Sequence, residues 1–148
     1  MTKPLAVITG ASSGIGEATA KAFSNAGYPT LLLARRIEIM ESFNLKNSIC
    51  KKIDVRDRDA LVSAIREAEK QYGPTDMMFN NAGVARLADI STQDPSEWDE
   101  MIDVNTKGVM NGIYAVMKDM KARQSGTIVN MSSIAGRKVY GDHTVYWK

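Results

Sequence analysis

The chain has 148 residues, 44% hydrophobic and 24% charged, and 19 Lys and Arg against 17 Asp and Glu leave a net charge of +2; the length predicts a single domain, residues 1–148, and near balance without a run of like charges argues against a nucleic-acid partner. One cysteine, Cys50, cannot close an internal disulfide and reads as a small buried hydrophobe in a reducing compartment, so a cytoplasmic location is expected. No apolar run reaches the roughly 18 residues of a membrane span, the first ten residues lack a leader pattern, and no His/Cys cluster has ligand spacing, so neither a membrane partner nor a metal is expected.

In chain order, Leu5 to Thr9 is a short apolar run that predicts a buried strand, and Gly10 to Gly16 is a turn opening a helix that runs to Gly27. Ile15, Ala18, Ala22, Phe23 and Ala26 fall at helical spacing along it. Thr30 to Ala34 predicts a second strand and Ile49 to Ile53 a third. Asp57 is placed to cap a helix whose Leu61, Ile65, Ala68 and Tyr72 share one face up to Gly73. A fourth strand follows at Asp76 to Phe79. Asp94-Pro95-Ser96-Glu97 is a helix start in which Asp94 accepts from first-turn amides, Pro95 needs no donor and Glu97 reaches back. The face Trp98, Met101, Ile102, Val109, Ile113, Met117, Met120 carries that helix to about Ala122, with a bend expected at Gly108 or Gly112, and its methionines read as core packing. Thr127 to Met131 closes the series as a fifth strand. Strand and helix alternating through short loops predict an α/β fold with a parallel, doubly wound sheet of about five strands and helices on both faces.

Thr9-Gly10-Ala11-Ser12-Ser13-Gly14-Ile15-Gly16 puts three glycines where a strand becomes a helix. Glycine there permits a tight turn and close backbone approach, and the helix N-terminus adds partial positive charge, which together suit a pyrophosphate. Gly10, Ser12, Ser13, Gly14, Ile15 and Gly16 are therefore candidates for cofactor binding. A dinucleotide site next needs a residue roughly 20 positions on, an acid for ribose hydroxyls or an arginine for a 2′-phosphate. The chain offers Arg35 and Arg36, with no carboxylate before Glu38, so NADP is favoured over NAD. The alternative is that both arginines are solvated residues opening a surface helix.

T-G-A-S-S-G-I-G, with three residues between its first two glycines, resembles the short-chain dehydrogenase/reductase family. Asn80-Asn81-Ala82-Gly83 is similar to the family's N-N-A-G, and Asp54-Val55 to its adenine-contacting D-V. Asn105, in Val104-Asn105-Thr106-Lys107-Gly108, matches the helix asparagine of the family's proton relay, and Asn130 to Gly136 matches the loop bearing its catalytic serine. The resemblance runs through essentially the whole chain and implies a Rossmann-like fold. It also implies hydride transfer between NADPH and a small-molecule carbonyl or alcohol substrate, and a homo-oligomer. Residue by residue, it makes Asn105, Ser133 and Tyr146 the catalytic group, with Ser133 preferred to Ser132 and Tyr146 to Tyr140 by their separation. Asp54, Val55, Asn81, Ala82 and Gly83 join the cofactor-binding set.

The family places a lysine four residues after its tyrosine, whereas here the chain reads Tyr146-Trp147-Lys148. On a helix Lys148 would stand about 200° around the axis from Tyr146, a poor substitute. The expectation is a C-terminally shortened member that is a weak or inactive catalyst; the alternative is a dinucleotide-binding module without hydride transfer. Lacking the family's later strands, the fifth strand is expected as an open edge, and the helix from Ser96 as an unpaired oligomer surface, so self-association is expected. His143 reads as an exposed loop residue.

Overall fold

The computed structural model describes residues 3–138 and residue 146. In chain order the elements are β1 (Leu5–Thr9), α1 (Gly14–Asn25), β2 (Thr30–Ala34), α2 (Ile37–Ser42), β3 (Ser48–Lys52), α3 (Arg58–Tyr72), β4 (Thr75–Asn80), α4 (Pro95–Ile102), a π turn (Asp103–Gly108), α5 (Val109–Arg123), β5 (Thr127–Asn130) and a 3₁₀ turn (Ile134–Gly136). The strands pair in the order β3-β2-β1-β4-β5, all parallel. The chain winds outward from β1 to β3, then crosses back to β4 and winds the other way. A crevice therefore opens where the strand order reverses, beyond the carboxyl ends of β1 and β4.

Every residue of β1 and β2 is buried, which is why both read as unbroken apolar runs rather than alternating ones. Alternate residues still serve opposite faces. Leu5, Val7, Leu31, Leu33 and Met78 pack with Leu61 and Ile65 of α3 and with Ala115, Val116 and Met120 of α5. Ile8, Leu32 and Phe79 face the other way, toward Ala20 of α1 and Met40 of α2. Two packed layers thus enclose one sheet. At the borders β3 is half-exposed, and β5 has three of its four residues exposed. No helix among the described residues is long and apolar enough to cross a membrane.

Several expectations need correction. The stripe Ile15, Ala18, Ala22 and Ala26 does not face the core: all four are exposed, Ile15 at 59%, and α1 instead buries Gly16 and Ala20. The smallest side chains let the helix lie closest, and that contact turns the larger ones outward. Glu97 does not complete a capping box. Asp94 Oδ1 accepts from Ser96 N at 2.8 Å, but Glu97 Oε2 accepts from the Gln93 side-chain amide at 3.1 Å. The long helix is interrupted by the π turn, and its buried row then runs through Gly108, Gly112, Val116 and Met120, leaving Met117 exposed. A wide turn inserts an extra residue, so an apolar pattern counted straight through it loses phase.

That buried row brings α5 hard against β4. A Cβ built on Gly112 would stand 1.9 Å from Asn80 Oδ1 and 2.7 Å from Met78 Cε. Asn80 is buried beneath it, its Nδ2 donating to Asn130 Oδ1 on β5 at 2.9 Å while Oδ1 has no donor among the described residues. Gly112→Ala is therefore expected to lower stability by about 3 kcal/mol through overpacking, read as a fall in the urea midpoint. An unchanged midpoint would contradict so close an approach of helix to sheet.

Candidate functional site

The crevice is built from the ends of β1 and β4. Thr9, 2% exposed, ends β1, and its Oγ1 accepts from the backbone N–H groups of Asn81 and Ala82, both at 3.0 Å, while donating to Phe79 O at 3.3 Å. Asn81 Nδ2 returns the contact, donating to Thr9 O at 3.1 Å and Gly10 O at 3.3 Å. The two strand ends are thereby stapled together. Gly10 takes φ +63° and lies so close that a Cβ would be 2.8 Å from Ala82 Cα; one on Gly16 would be 2.3 Å from Gly10 O. Both positions exclude a side chain.

The turn aims the N-terminus of α1 into the crevice. Its N-cap residue Ser13 makes no side-chain capping bond, so the orphan amides of the first turn are not satisfied by the cap and remain available to an anion. The Ser12 and Ser13 hydroxyls instead accept from Arg36 Nη2, at 3.0 and 2.9 Å.

A cleft of 350 Å³ lies along this turn. It is lined by Gly10, Ser12, Ser13, Ile15, Arg35, Arg36, Asp54, Val55, Asn81, Ala82 and Gly83, together with Leu33, Ala34, Ile53, Val84 and Val104. Gly14 and Gly16 lie outside the lining. Gly14 shapes the turn at φ +57° and Gly16 is buried under it. The two arginines do not act alike: Arg36 reaches the serines, whereas Arg35 is 59% exposed and its Nη1 lies 3.9 Å from Glu100 Oε1. Asp54 is gripped by Arg56, whose Nε lies 3.0 and 3.1 Å from its two oxygens and whose Nη2 lies 2.6 Å from Oδ2. That hydrogen bonding holds the Asp54 carboxyl below the usual carboxylate range.

A second cleft of 260 Å³ shares Asn81, Ala82, Gly83 and Val84 with the first and adds Ala85, Asn105, Val109, Met131, Ser132, Ser133 and Tyr146. The structure thus brings Asn105, Ser133 and Tyr146 to one cavity, with Ser132 beside them. Asn105 sits in the π turn, and both ends of its amide are engaged: Oδ1 accepts from Val84 N at 2.9 Å and Nδ2 donates to Val84 O at 2.8 Å. Those two bonds hold the side chain to the loop after β4. Ser133 Oγ accepts from Ala135 N at 3.1 Å, which caps the 3₁₀ turn and leaves the hydroxyl proton free to donate. Tyr140, His143, Trp147 and Lys148 lie outside the described residues.

Sequence reasoning missed several positions, three of them notable. Thr9 carries the staple, Val104 lines the first cleft, and Asn111 pins the loop after β3. Asn111 Nδ2 donates to Val55 O at 2.9 Å, and its Oδ1 accepts from Arg58 Nε at 2.9 Å. Asn111 carried one signal, a polar residue on a row that must otherwise be buried.

The family model for short chain dehydrogenase matches residues 4–147. The uncharacterized oxidoreductase Lmo0432 of Listeria monocytogenes is 41% identical over 146 residues, covering 95% of this chain and 59% of that protein. The acetoacetyl-CoA reductase of Paracoccus denitrificans is 38% identical over 136 residues, covering 90% and 56%. A closed form of serine dehydrogenase complexed with NADP⁺ superposes with a TM-score of 0.92 at 29% identity, over 97% of this chain and 59% of that one. A metagenomic short-chain oxidoreductase in complex with NADP gives 0.89 at 31% identity, over 97% and 68%. The chain thus spans less than two thirds of the curated relatives named here.

The staple generates a direct test. Thr9→Val keeps the shape but leaves two N–H groups at the strand ends without their acceptor, and is expected to cost about 2 kcal/mol in chemical denaturation. Thr9→Ser, which keeps the oxygen, should recover most of that; equal losses in both variants would show that the hydroxyl does not hold the crevice.

Proposed function

The chain belongs to the short-chain dehydrogenase family, and from that premise we propose that it forms the NADP-binding part of an oxidoreductase acting between NADPH and a carbonyl or alcohol substrate. One observation carries this reading: an uncapped helix N-terminus beside a guanidinium that, among the described residues, bonds only the Ser12 and Ser13 hydroxyls. Uncapped amides suit a pyrophosphate, and a guanidinium held by neutral hydroxyls suits a further phosphate. That two similar solved proteins hold NADP⁺ or NADP supports the same choice.

In this reading the amides of Ser12, Ser13, Gly14 and Ile15 hold the diphosphate, and Gly10 and Gly16 give it room. Arg36 and Arg35 take the 2′-phosphate. Asp54 and Val55 border the base, and Asn81, Ala82 and Gly83 wall the middle of the cleft. When bound, the nicotinamide supplies hydride. Ser133 holds the substrate oxygen through its hydroxyl, and the Tyr146 phenol gives that oxygen a proton in the reducing direction. In the return step the phenol must first give up its own proton, which a cation beside it would favour. Because this chain spans 59% of its relative's length, the turnover is proposed for the whole protein and the binding for residues 1–148. The exposed Met110, Tyr114 and Met117 on α5 support a homo-oligomer as part of the proposal, and a cytoplasmic setting accords with one free cysteine.

Binding is the part to measure. Fluorescence titration of this chain is expected to show NADPH held about tenfold or more tighter than NADH, as a charge-assisted phosphate contact predicts. Arg36→Ala should weaken NADPH by about tenfold and leave NADH within about twofold. Tighter NADH binding by the parent chain would overturn the cofactor choice.

A further inference from the structure

The charges at the arginine end of the first cleft are arranged in pairs, and the pairing leaves a specific remainder. Two carboxylates stand within reach of Arg35: Asp54, whose ionisation Arg35 helps to favour, and Glu100, 3.9 Å away. Each has a nearer arginine of its own. Arg56 takes Asp54 through its side chain and also through its backbone N–H, at 3.0 Å. Arg86 takes Glu100, Nε to Oε2, at 3.0 Å.

Neither arginine is placed by its side chain alone. The Arg86 N–H donates to Met101 Sδ at 3.4 Å and its carbonyl accepts from the Gln93 side-chain amide at 2.9 Å, which ties its loop to α4 and the segment before it. The Arg56 carbonyl accepts from Asn111 Nδ2 of α5 at 3.4 Å. The Asp54–Arg56 and Glu100–Arg86 pairs cancel. Among the described residues Arg35 has one ion pair, a long one, and Arg36 has none, and both remain as net positive charge on the cleft wall.

Resting on the cofactor reading above, we propose that Arg56 and Arg86 are specificity-positioning residues: by neutralising Asp54 and Glu100 they keep Arg35 and Arg36 available to the dianionic 2′-phosphate of NADP. A carboxylate already matched by a cation attracts a second one weakly, so the 3.9 Å contact yields readily to a phosphate. Without Arg86, the one ion-pair partner left to Glu100 among the described residues is Arg35, and the phosphate meets a guanidinium already paired.

Calorimetric titration of the chain with NADP⁺ and NAD⁺ at low ionic strength, where surface charge is least screened, tests this. Arg86→Ala should lower the ratio of NADP⁺ to NAD⁺ affinity by about fivefold, with NAD⁺ affinity kept within about twofold. The double variant Arg86→Ala/Glu100→Gln should return the ratio to the parent value, which loss of a merely structural contact would not do. Glu100→Gln alone should raise it; a fall or no change counts against the proposal even if Arg86→Ala proves unstable. An unchanged ratio in Arg86→Ala while Arg35→Ala lowers it overturns the positioning role and leaves the cofactor reading standing. A ratio that none of the arginine variants moves overturns both.

Discussion

The approach of Gly16 to the carbonyl of Gly10, close enough that a methyl group would stand 2.3 Å from the oxygen, is the constraint from which the rest of the crevice follows. It fixes where α1 begins and how it is rotated. With Gly16 and Ala20 against the sheet, Ile15 is forced outward to the lip of the first cleft, and the first turn of the helix points its amides into open space. The same contact brings Asn81 Nδ2 within 3.3 Å of Gly10 O, so the glycine turn is held from the β4 side as well. In the proposed reading an anion arriving there would meet a turn already held in place, with little ordering left to be done on binding.

Strands β1 and β2 were legible to the residue because burial on both faces leaves an unbroken apolar run with sharp ends. The glycine turn and the Asp57 cap were legible because each has a local physical reason that survives packing; Asp57 Oδ1 does accept from Ala60 N, at 3.0 Å. What failed were the features decided by neighbours distant in sequence. The rotation of α1 depends on how closely two glycines approach, and hydrophobic spacing assigns them no weight. The row Gly108, Gly112, Val116, Met120 was hidden because glycine contributes to a helix face by being absent from the space a side chain would fill. The site divided along the same line. Its glycines and the asparagines Asn81 and Asn105 were found by motif, whereas Thr9 and Asn111 act through bonds to residues 53 or more positions away along the chain, and no motif marks them.

The two arginines illustrate a further limit. Arg35 and Arg36 lie in the short link between β2 and α2 and both border the first cleft, but their resting contacts run in two directions. Arg36 turns to the serines of the glycine turn and Arg35 toward α4. Individually such exposed contacts add little to stability. Their consequence lies in the local potential, since a wall whose acids are already matched leaves its remaining cations to a ligand.

The segment Asn81 to Val84 borders both clefts and is held at each end by a different element. Thr9 of β1 fixes its start through the N–H groups of Asn81 and Ala82, and Asn105 of the π turn fixes its end through both polar atoms of Val84. A π turn costs regular helical hydrogen bonding and recurs where function demands it; here it sets Asn105 on the same side as the loop it grips. The shared wall then cannot shift at one cleft without straining a bond at the other. A ligand long enough to occupy both would find its two ends placed by a single short piece of backbone, and the separation of those ends is therefore set by hydrogen bonds from β1 and the π turn rather than by the exposed side chains that touch the ligand.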